Sequence, residues 1–417
     1  MNSSTNTPVT NSFSTHQKRV LFLLALVQFC IILDFMIIAP IGDILMKAMS
    51  ITTAQFGIVV SSYAFSAAIA SIVTAGFADR FDRKKLLIIF FSGFILGTIA
   101  CGISKNYEQI VISRIITGMF AGISNAVLMT LVIDLFLPQQ RGRAMGMIQM
   151  GFGMSQVLGI PLGLFIAAKL GWQFTFFGIV LLAIAIIAAL IVFLDSANAH
   201  LQHQIEKNPF VHFWKTITNA DYQIGFSAVT LLSIGGFMIM PFTAVFLVNN
   251  VQVSTHDLPL VFLSSGIVAL IVMPLMGKLS DKYDRFTLFA IGSVAGMVAI
   301  IIYTHLSVTP LWLVIIINML VMACIMCRMS PAMAINSMVP KPEDRGAYMG
   351  LSSALQQTAG GLGAIIAGMI IYQADNHSPL VHFDWLGYII ALIFGACIYL
   401  VYQVKKLLTS RKIQDRH

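Results

Sequence analysis

Apolar runs of about 20 residues or more alternate with short polar stretches along almost the whole chain. They fall at about 20–42, 55–77, 85–104, 109–137, 144–168 and 173–194, then at 222–249, 259–279, 286–307, 310–337, 346–373 and 384–406. At 1.5 Å per residue, each is long enough as a helix to cross a hydrocarbon core of roughly 30 Å. The runs are continuous rather than alternating, which points away from a membrane β-barrel. Residues 195–220 form the most polar interior stretch and divide the runs six and six. The pattern predicts an all-α membrane protein of twelve transmembrane helices, in bundles at 18–194 and 221–406 joined by a linker at 195–220. The Ser/Thr/Asn-rich stretch 1–17 reads as a disordered tail with no cleavage site after it, and 407–417 as a basic tail.

Composition agrees. Of 417 residues, 58% are hydrophobic and only 10% are charged, against roughly a quarter charged in a soluble domain. The net charge of +8 need not mean nucleic acid, because Lys and Arg collect in alternate loops. Twenty lie in the segments that share a side with the two termini, from Lys18 and Arg19 to Arg416. Lys47, Lys105 and Lys169 lie on the other side. That bias puts both termini in the cytoplasm. The five cysteines all fall inside apolar runs. Cys324-Ile325-Met326-Cys327 has metal spacing but no second ligand pair, so neither a disulfide nor a metal is expected.

The chain repeats itself. Gly76-Phe77-Ala78-Asp79-Arg80-Phe81-Asp82-Arg83-Lys84-Lys85 has a near copy 202 positions on, Gly277-Lys278-Leu279-Ser280-Asp281-Lys282-Tyr283-Asp284-Arg285. Pro138-Gln139-Gln140-Arg141-Gly142-Arg143 matches Pro342-Glu343-Asp344-Arg345-Gly346-Ala347 at an offset of 204. Two anchors in agreement predict parallel, pseudo-symmetric six-helix repeats, with a site between them near mid-membrane.

Further motifs accompany the repeat: Leu33-Asp34-Phe35 with Ala39-Pro40-Ile41, Arg114-Ile115-Ile116-Thr117-Gly118, Gly159-Ile160-Pro161-Leu162-Gly163 before Gly171-Trp172, and Arg328-Met329-Ser330-Pro331. Together they resemble the major facilitator superfamily, in particular its twelve-helix drug/proton antiporter and sugar-efflux branch. The likeness spans about 20–405. Two positions depart from the family's loop 2–3 signature: Ala75 stands where its first glycine is expected, and Asp82 replaces a later one. The resemblance implies two rocking halves around a central cavity lined by helices 1 and 4, and a brace that holds an outward-open state.

The chemistry centres on a few polar residues in apolar runs. A carboxylate such as Asp34 costs roughly 2.5–3.5 kcal/mol in a membrane-spanning helix on insertion scales. It is therefore a proton or substrate site, or one half of a structural pair. Arg114, two turns into helix 4, is its expected partner and a fixed cation. Arg328 has no equal in the first half and reads as a substrate or lipid contact, a pair within its bundle, or a side chain snorkelling to the interface. Asp43 reads as a solvated cap. Asp79 can cap helix 11 from across the halves, beside Arg345, and Asp281 can do the same for helix 5 near Arg141. Asp134 can pair with Arg83, and Arg80 and Arg285 complete the gating set, unless the cations serve topology alone. Gly159, Pro161 and Gly163 permit a bend in helix 5, or close packing. Asn125, Gln149, Gln156, Asn318, Gln356 and Gln357 are candidate polar anchors in the cavity.

No phosphate loop or nucleophile triad is present, so neither ATP nor an enzyme activity is expected. The reading is a monomeric, cofactor-free secondary transporter of a bacterial inner membrane. It would export a small-molecule substrate such as a drug, sugar or metabolite against protons, in contact with membrane lipids and not with nucleic acid. A facilitator, symporter or lipid or lysolipid exporter of the same fold is the alternative, and a membrane-embedded enzyme or channel a more distant one.

Overall fold

The structure is a computed structural model that describes residues 13–77, 81–195, 214–341 and 344–414. The first half contains α1 (Thr15–Ile37), α2 (Gly42–Met49), α3 (Thr53–Phe77), α4 (Arg83–Ile103), α5 (Tyr107–Leu135), α6 (Pro138–Met154), α7 (Ile160–Leu170) and α8 (Trp172–Phe193). The second contains α9 (Ala220–Ile239), α10 (Thr243–Asn249), α11 (Leu258–Lys282), α12 (Arg285–Thr304), α13 (Leu311–Asn336), α14 (Arg345–Ile370) and α15 (Phe383–Gln414). Among the described residues, eleven helical segments are long and apolar enough to cross a membrane, with α6 and α7 acting as one and α9 and α10 as another. The 26-residue α14 is as long but less apolar, because Ser352, Ser353, Gln356 and Gln357 interrupt it. Most of these helices are apolar all round. Their outward faces expose large side chains such as Leu181 (74%) and Leu392 (75%), which suits a lipid solvent and not water.

The repeat is visible in how the helices begin. Asp82 caps α4, its Oδ1 accepting from the Lys84 N–H at 2.8 Å. Asp284, 202 positions later, caps α12 by accepting from the N–H and the hydroxyl of Thr287, both at 2.9 Å. The carboxylate that departs from the family signature is thus a helix start signal.

The repeat is also visible in how the first helix of each half ends. A single helix over 20–42 was expected, but α1 stops at Ile37 and a turn carries Pro40. The chain then re-enters as the eight-residue α2, so Lys47 lies on a helix and not in a loop. The run at 222–249 breaks in the same way at Pro241, in a tight turn over Met240–Phe242 that precedes α10. Proline lacks an N–H and clashes with the preceding turn, so both helices break there.

Both chain ends correct the sequence boundaries. Ser14 and Gln17 form a reciprocal capping box that starts α1 at Thr15, and Phe13 is buried against Phe136. The tail expected at 407–417 continues α15 as helix to Gln414. Of the linker expected at 195–220, residues 196–213 lie outside the described residues, as does 1–12 of the N-terminal tail, while 214–217 form one helical turn.

The halves meet along α3 against α14, and along α11 against α7 and the turn before it. Contact is close where glycine permits it. A Cβ on Gly57 would stand 2.7 Å from the Ala364 carbonyl oxygen, a backbone atom that cannot swing away.

Candidate functional site

Asp34 on α1 and Arg114 on α5 are both completely buried, with Nη1 and Oδ2 2.8 Å apart. The same Nη1 also donates to the Asp34 carbonyl at 3.1 Å. The Thr98 hydroxyl on α4 lies 3.3 Å from Oδ1 and 3.0 Å from the Phe94 carbonyl, with one proton to give. The ring of Tyr63, on α3, lies 4.3 Å from the guanidinium carbon, a cation–π contact. Four helices therefore converge on one charge pair. The Nε and Nη2 of Arg114 have no acceptor. A buried ion pair adds little net stability, because desolvation offsets the attraction. A pair left partly unsatisfied is therefore a poor structural device and a good candidate for chemistry.

The pair is connected to the other half. Tyr63 packs on Phe35 at 5.3 Å between ring centroids, and Phe35 packs on Phe237 of α9 at 5.9 Å. Asp34 and Arg114 themselves face the core of the first half and not an open cavity. At the corresponding positions the second half has Gly236, 202 residues on, and Asn318, 204 residues on. Asn318 donates instead to Ser265 of α11. The charge pair is therefore one-sided.

Arg328 on α13 is 1% exposed, so it does not snorkel to the interface. Its guanidinium carbon lies 3.5 Å from the centre of the Phe394 ring and 6.0 Å from that of Phe289, and Nε and Nη2 have no acceptor. The structure does not bring it to Asp34 or Arg114.

The proposed gating residues divide. Asp79 and Arg80 lie outside the described residues, and the side chain of Asp281 is not among those described. Arg83 and Asp134 form an ion pair at 2.8 Å between α4 and α5. Arg141 donates from Nε to the Phe136 carbonyl, and Arg285 from Nε to the Ser280 carbonyl, each within its own half. Arg345 is exposed. Asp344 caps nothing with its side chain but accepts from the Tyr222 hydroxyl at 2.7 Å.

In the fifth apolar run, at about 144–168, Ser155–Gly159 form a π-helical turn between α6 and α7, with the Ile160 N–H reaching back to the Ser155 carbonyl. Such turns recur at functional sites. Pro161 follows in the first turn of α7. Gly159 and Gly163 face Leu33 and Ile37 of α1, so they serve close packing beside that bend. Gln156 is buried and directs Nε2 to the Met36 sulfur at 3.4 Å. Asn125, Gln356 and Gln357 are half-buried and Gln149 is exposed. Among the described residues, no three His, Cys, Asp or Glu side chains converge as a metal set.

The sequence reading missed a second polar cluster. Asp43 is 3% exposed, so it is not a solvated cap. Its Oδ1 accepts from Asn249 Nδ2 of the other half at 2.7 Å, and its Oδ2 pairs with Lys47 at 2.9 Å. Lys47 also donates to Asn249 Oδ1 at 3.3 Å. Nearby, Asn376 donates to the Met46 carbonyl, and the Thr53 hydroxyl to the Ile371 carbonyl at 2.7 Å. Among the described residues, the hydrogen bonds that cross between halves all lie at this end. Asn249 stands 202 positions after Lys47, and Pro241 stands 201 after Pro40. The second pair was the available signal, because it brings two short helices together as symmetry mates.

The sequence profile of the Major Facilitator Superfamily matches this chain twice in succession, over 24–226 and 225–415. An uncharacterized MFS-type transporter of Bacillus subtilis (strain 168), YbcL, is 25% identical over 384 residues, covering 91% of this chain and 95% of that protein. Multidrug resistance protein 2 of the same organism is 23% identical over 399 residues, covering 94% and 98%. Among solved structures, a D-xylose–proton symporter superposes with a TM-score of 0.74 at 16% identity, covering 92% of this chain and 97% of the other. A bacterial homologue of the human lysosomal transporter Spinster, inward-facing and unoccupied, gives 0.73 at 14% identity, covering 96% and 99%. At these identities the structural likeness shows the fold alone.

Proposed function

The chain belongs to the Major Facilitator Superfamily and is a multi-pass membrane transporter, and we propose that it is a proton-coupled antiporter that exports a small organic compound by alternating access. The observation that carries this reading is the completely buried pair of Asp34 and Arg114. Arginine keeps its proton at any physiological pH, so only Asp34 can change charge. Protonation removes the attraction for Arg114 and leaves the cation resting on Tyr63. Tyr63 touches Phe35, and Phe35 touches Phe237 across the seam. A proton at Asp34 therefore has a short contact path to the packing between the halves. No ATP and no cofactor is required, because the proton gradient supplies the drive.

The Asp43, Lys47 and Asn249 cluster is the outer gate in this reading, on the side that the Lys/Arg bias assigns to the exterior. Asp79, Arg80, Asp281 and Arg345 brace the inner side in the alternate state, with Arg83, Asp134, Arg141 and Arg285 holding the loops that present them. The π-helical turn before Pro161 lets helix 5 flex as the halves rock. Gln156 and Asn318 are contacts for the polar parts of the cargo. The protein works as a monomer in a bacterial inner membrane.

The test is transport in proteoliposomes. Lipophilic cations, sugars and nucleosides serve as probes, and the probe that moves is followed with an imposed pH gradient. Uptake that rises with the gradient supports antiport, and uptake indifferent to the gradient in both directions rejects it.

A further inference from the structure

A groove of about 390 Å³ opens in the second half, at the end where both chain termini lie. Arg285 and Phe286 of α12 form one wall, Ile335 and Met338 another, and Lys405 and Leu408 of α15 a third. Two cations and an apolar lining coincide there. The gate proposed above does not use the free donors of either cation.

Both cations are only partly satisfied. Arg285 donates from Nε to the Ser280 carbonyl at 3.2 Å and from Nη1 to the Met338 sulfur at 3.0 Å. A thioether is a weak acceptor, and Nη2 meets no acceptor among the described residues. Lys405 spends one of its three N–H donors on Asp284 at 3.0 Å and lies 5.2 Å from the centre of the Phe286 ring. Among the described side chains Asp284 is the one carboxylate lining the groove, and its Oδ2 already accepts from Lys405 and from the N–H and hydroxyl of Thr287. Partial burial works against its ionisation, but those hydrogen bonds hold its carboxyl below the usual range. Among the described side chains, two cations thus face one occupied anion.

Position selects the ligand. The groove lies at the ends of membrane-crossing helices, beside exposed Tyr283 and Tyr402. Aromatic rings with a polar tip favour the headgroup level. The outer faces of α12 and α15 above it expose Ile291, Val294 and Tyr399 to lipid. Basic pockets between helices on the cytoplasmic side suit acidic headgroups, and a guanidinium fork matches phosphate oxygens.

We infer that this groove binds one anionic glycerophospholipid, with its phosphate between Arg285 and Lys405 and its acyl chains along α12 and α15. The bound lipid joins the loop before α12 to the last helix.

The probes are dioleoyl-phosphatidylglycerol, dioleoyl-phosphatidylcholine and soluble glycerol 3-phosphate, added to the full-length purified protein and followed by native mass spectrometry. The first lipid is retained about 10-fold more strongly than the second. The paired change Arg285→Gln with Lys405→Gln removes that preference. Met338→Glu, which keeps both cations and adds a competing carboxylate, removes it as well and guards against a misfolded double variant. Glycerol 3-phosphate at the lipid's concentration does not displace it. Equal retention of the two lipids, a preference that survives both variants, or displacement by glycerol 3-phosphate overturns the inference, the last by showing a soluble phosphate ligand instead.

Discussion

The carboxylate of Asp43 in one half accepts a hydrogen bond from the amide of Asn249 in the other, at 2.7 Å. Lys47 lies against both residues, so a charge, its counter-charge and a neutral amide join the two halves at one end of the molecule. A hydrogen bond to a charged group contributes about 1.5–3 kcal/mol, enough to bias a two-state gate by tenfold or more without locking it.

Asn249→Ala therefore opens that end. A cysteine placed at Met46, buried beside the cluster, should react about 10-fold faster with an impermeant maleimide in Asn249→Ala than in the parent. An unchanged rate means the cluster does not hold the gate.

Gly57 tests the seam by the opposite means. Its missing side chain admits the Ala364 carbonyl at a distance no Cβ tolerates. Gly57→Val forces α3 and α14 apart, at about 1–3 kcal/mol for an overpacked contact. The same cysteine at Met46 should again label faster. Slower labelling, or none of the expected loss in thermal stability, contradicts the packing described.

Helix caps separate structure from gating in the repeated loop. Asp82→Ala should lower stability by about 1 kcal/mol through the lost cap, and Asp82→Ser should recover most of it. The melting temperature with a bound fluorescent dye reads both. If serine does no better than alanine, the carboxylate acts by charge and not as a cap.

Much of this was legible in the sequence, and the exceptions have physical causes. The helices, the repeat and the pairing of Asp34 with Arg114 follow from long apolar runs broken by rare charges, because a charge in lipid needs a partner. The pairing of Arg83 with Asp134 follows from the same logic. The breaks at Pro40 and Pro241 were missed because the runs stay apolar through them, and proline in a membrane helix can bend it as well as end it. Asp43 was misplaced for that reason: a residue at the end of a straight helix faces water, whereas one on a re-entrant short helix can face the opposite half. Asp82 looked like an intruder in a motif because its hydrogen bond is to backbone, and a cap is visible only once the helix start is fixed. Arg328 was seen as unusual, but no pattern in the chain could reveal that aromatic rings enclose it.

Removing one member of the central pair should cost more than removing both charges. Arg114→Met leaves the Asp34 carboxylate buried without its cation and should destabilise the protein by about 3–5 kcal/mol. Asp34→Asn combined with Arg114→Gln should melt closer to the parent. If the single and double variants melt alike, the two residues are not energetically coupled.

The most direct measurement is the pH-gradient dependence of substrate movement in proteoliposomes that carry Asp34→Asn. The variant keeps the size of the side chain and one acceptor oxygen but cannot exchange a proton. Gradient-driven accumulation should vanish while exchange of substrate down its own gradient persists. Accumulation that responds to the gradient as in the parent contradicts a proton-carrying role for Asp34.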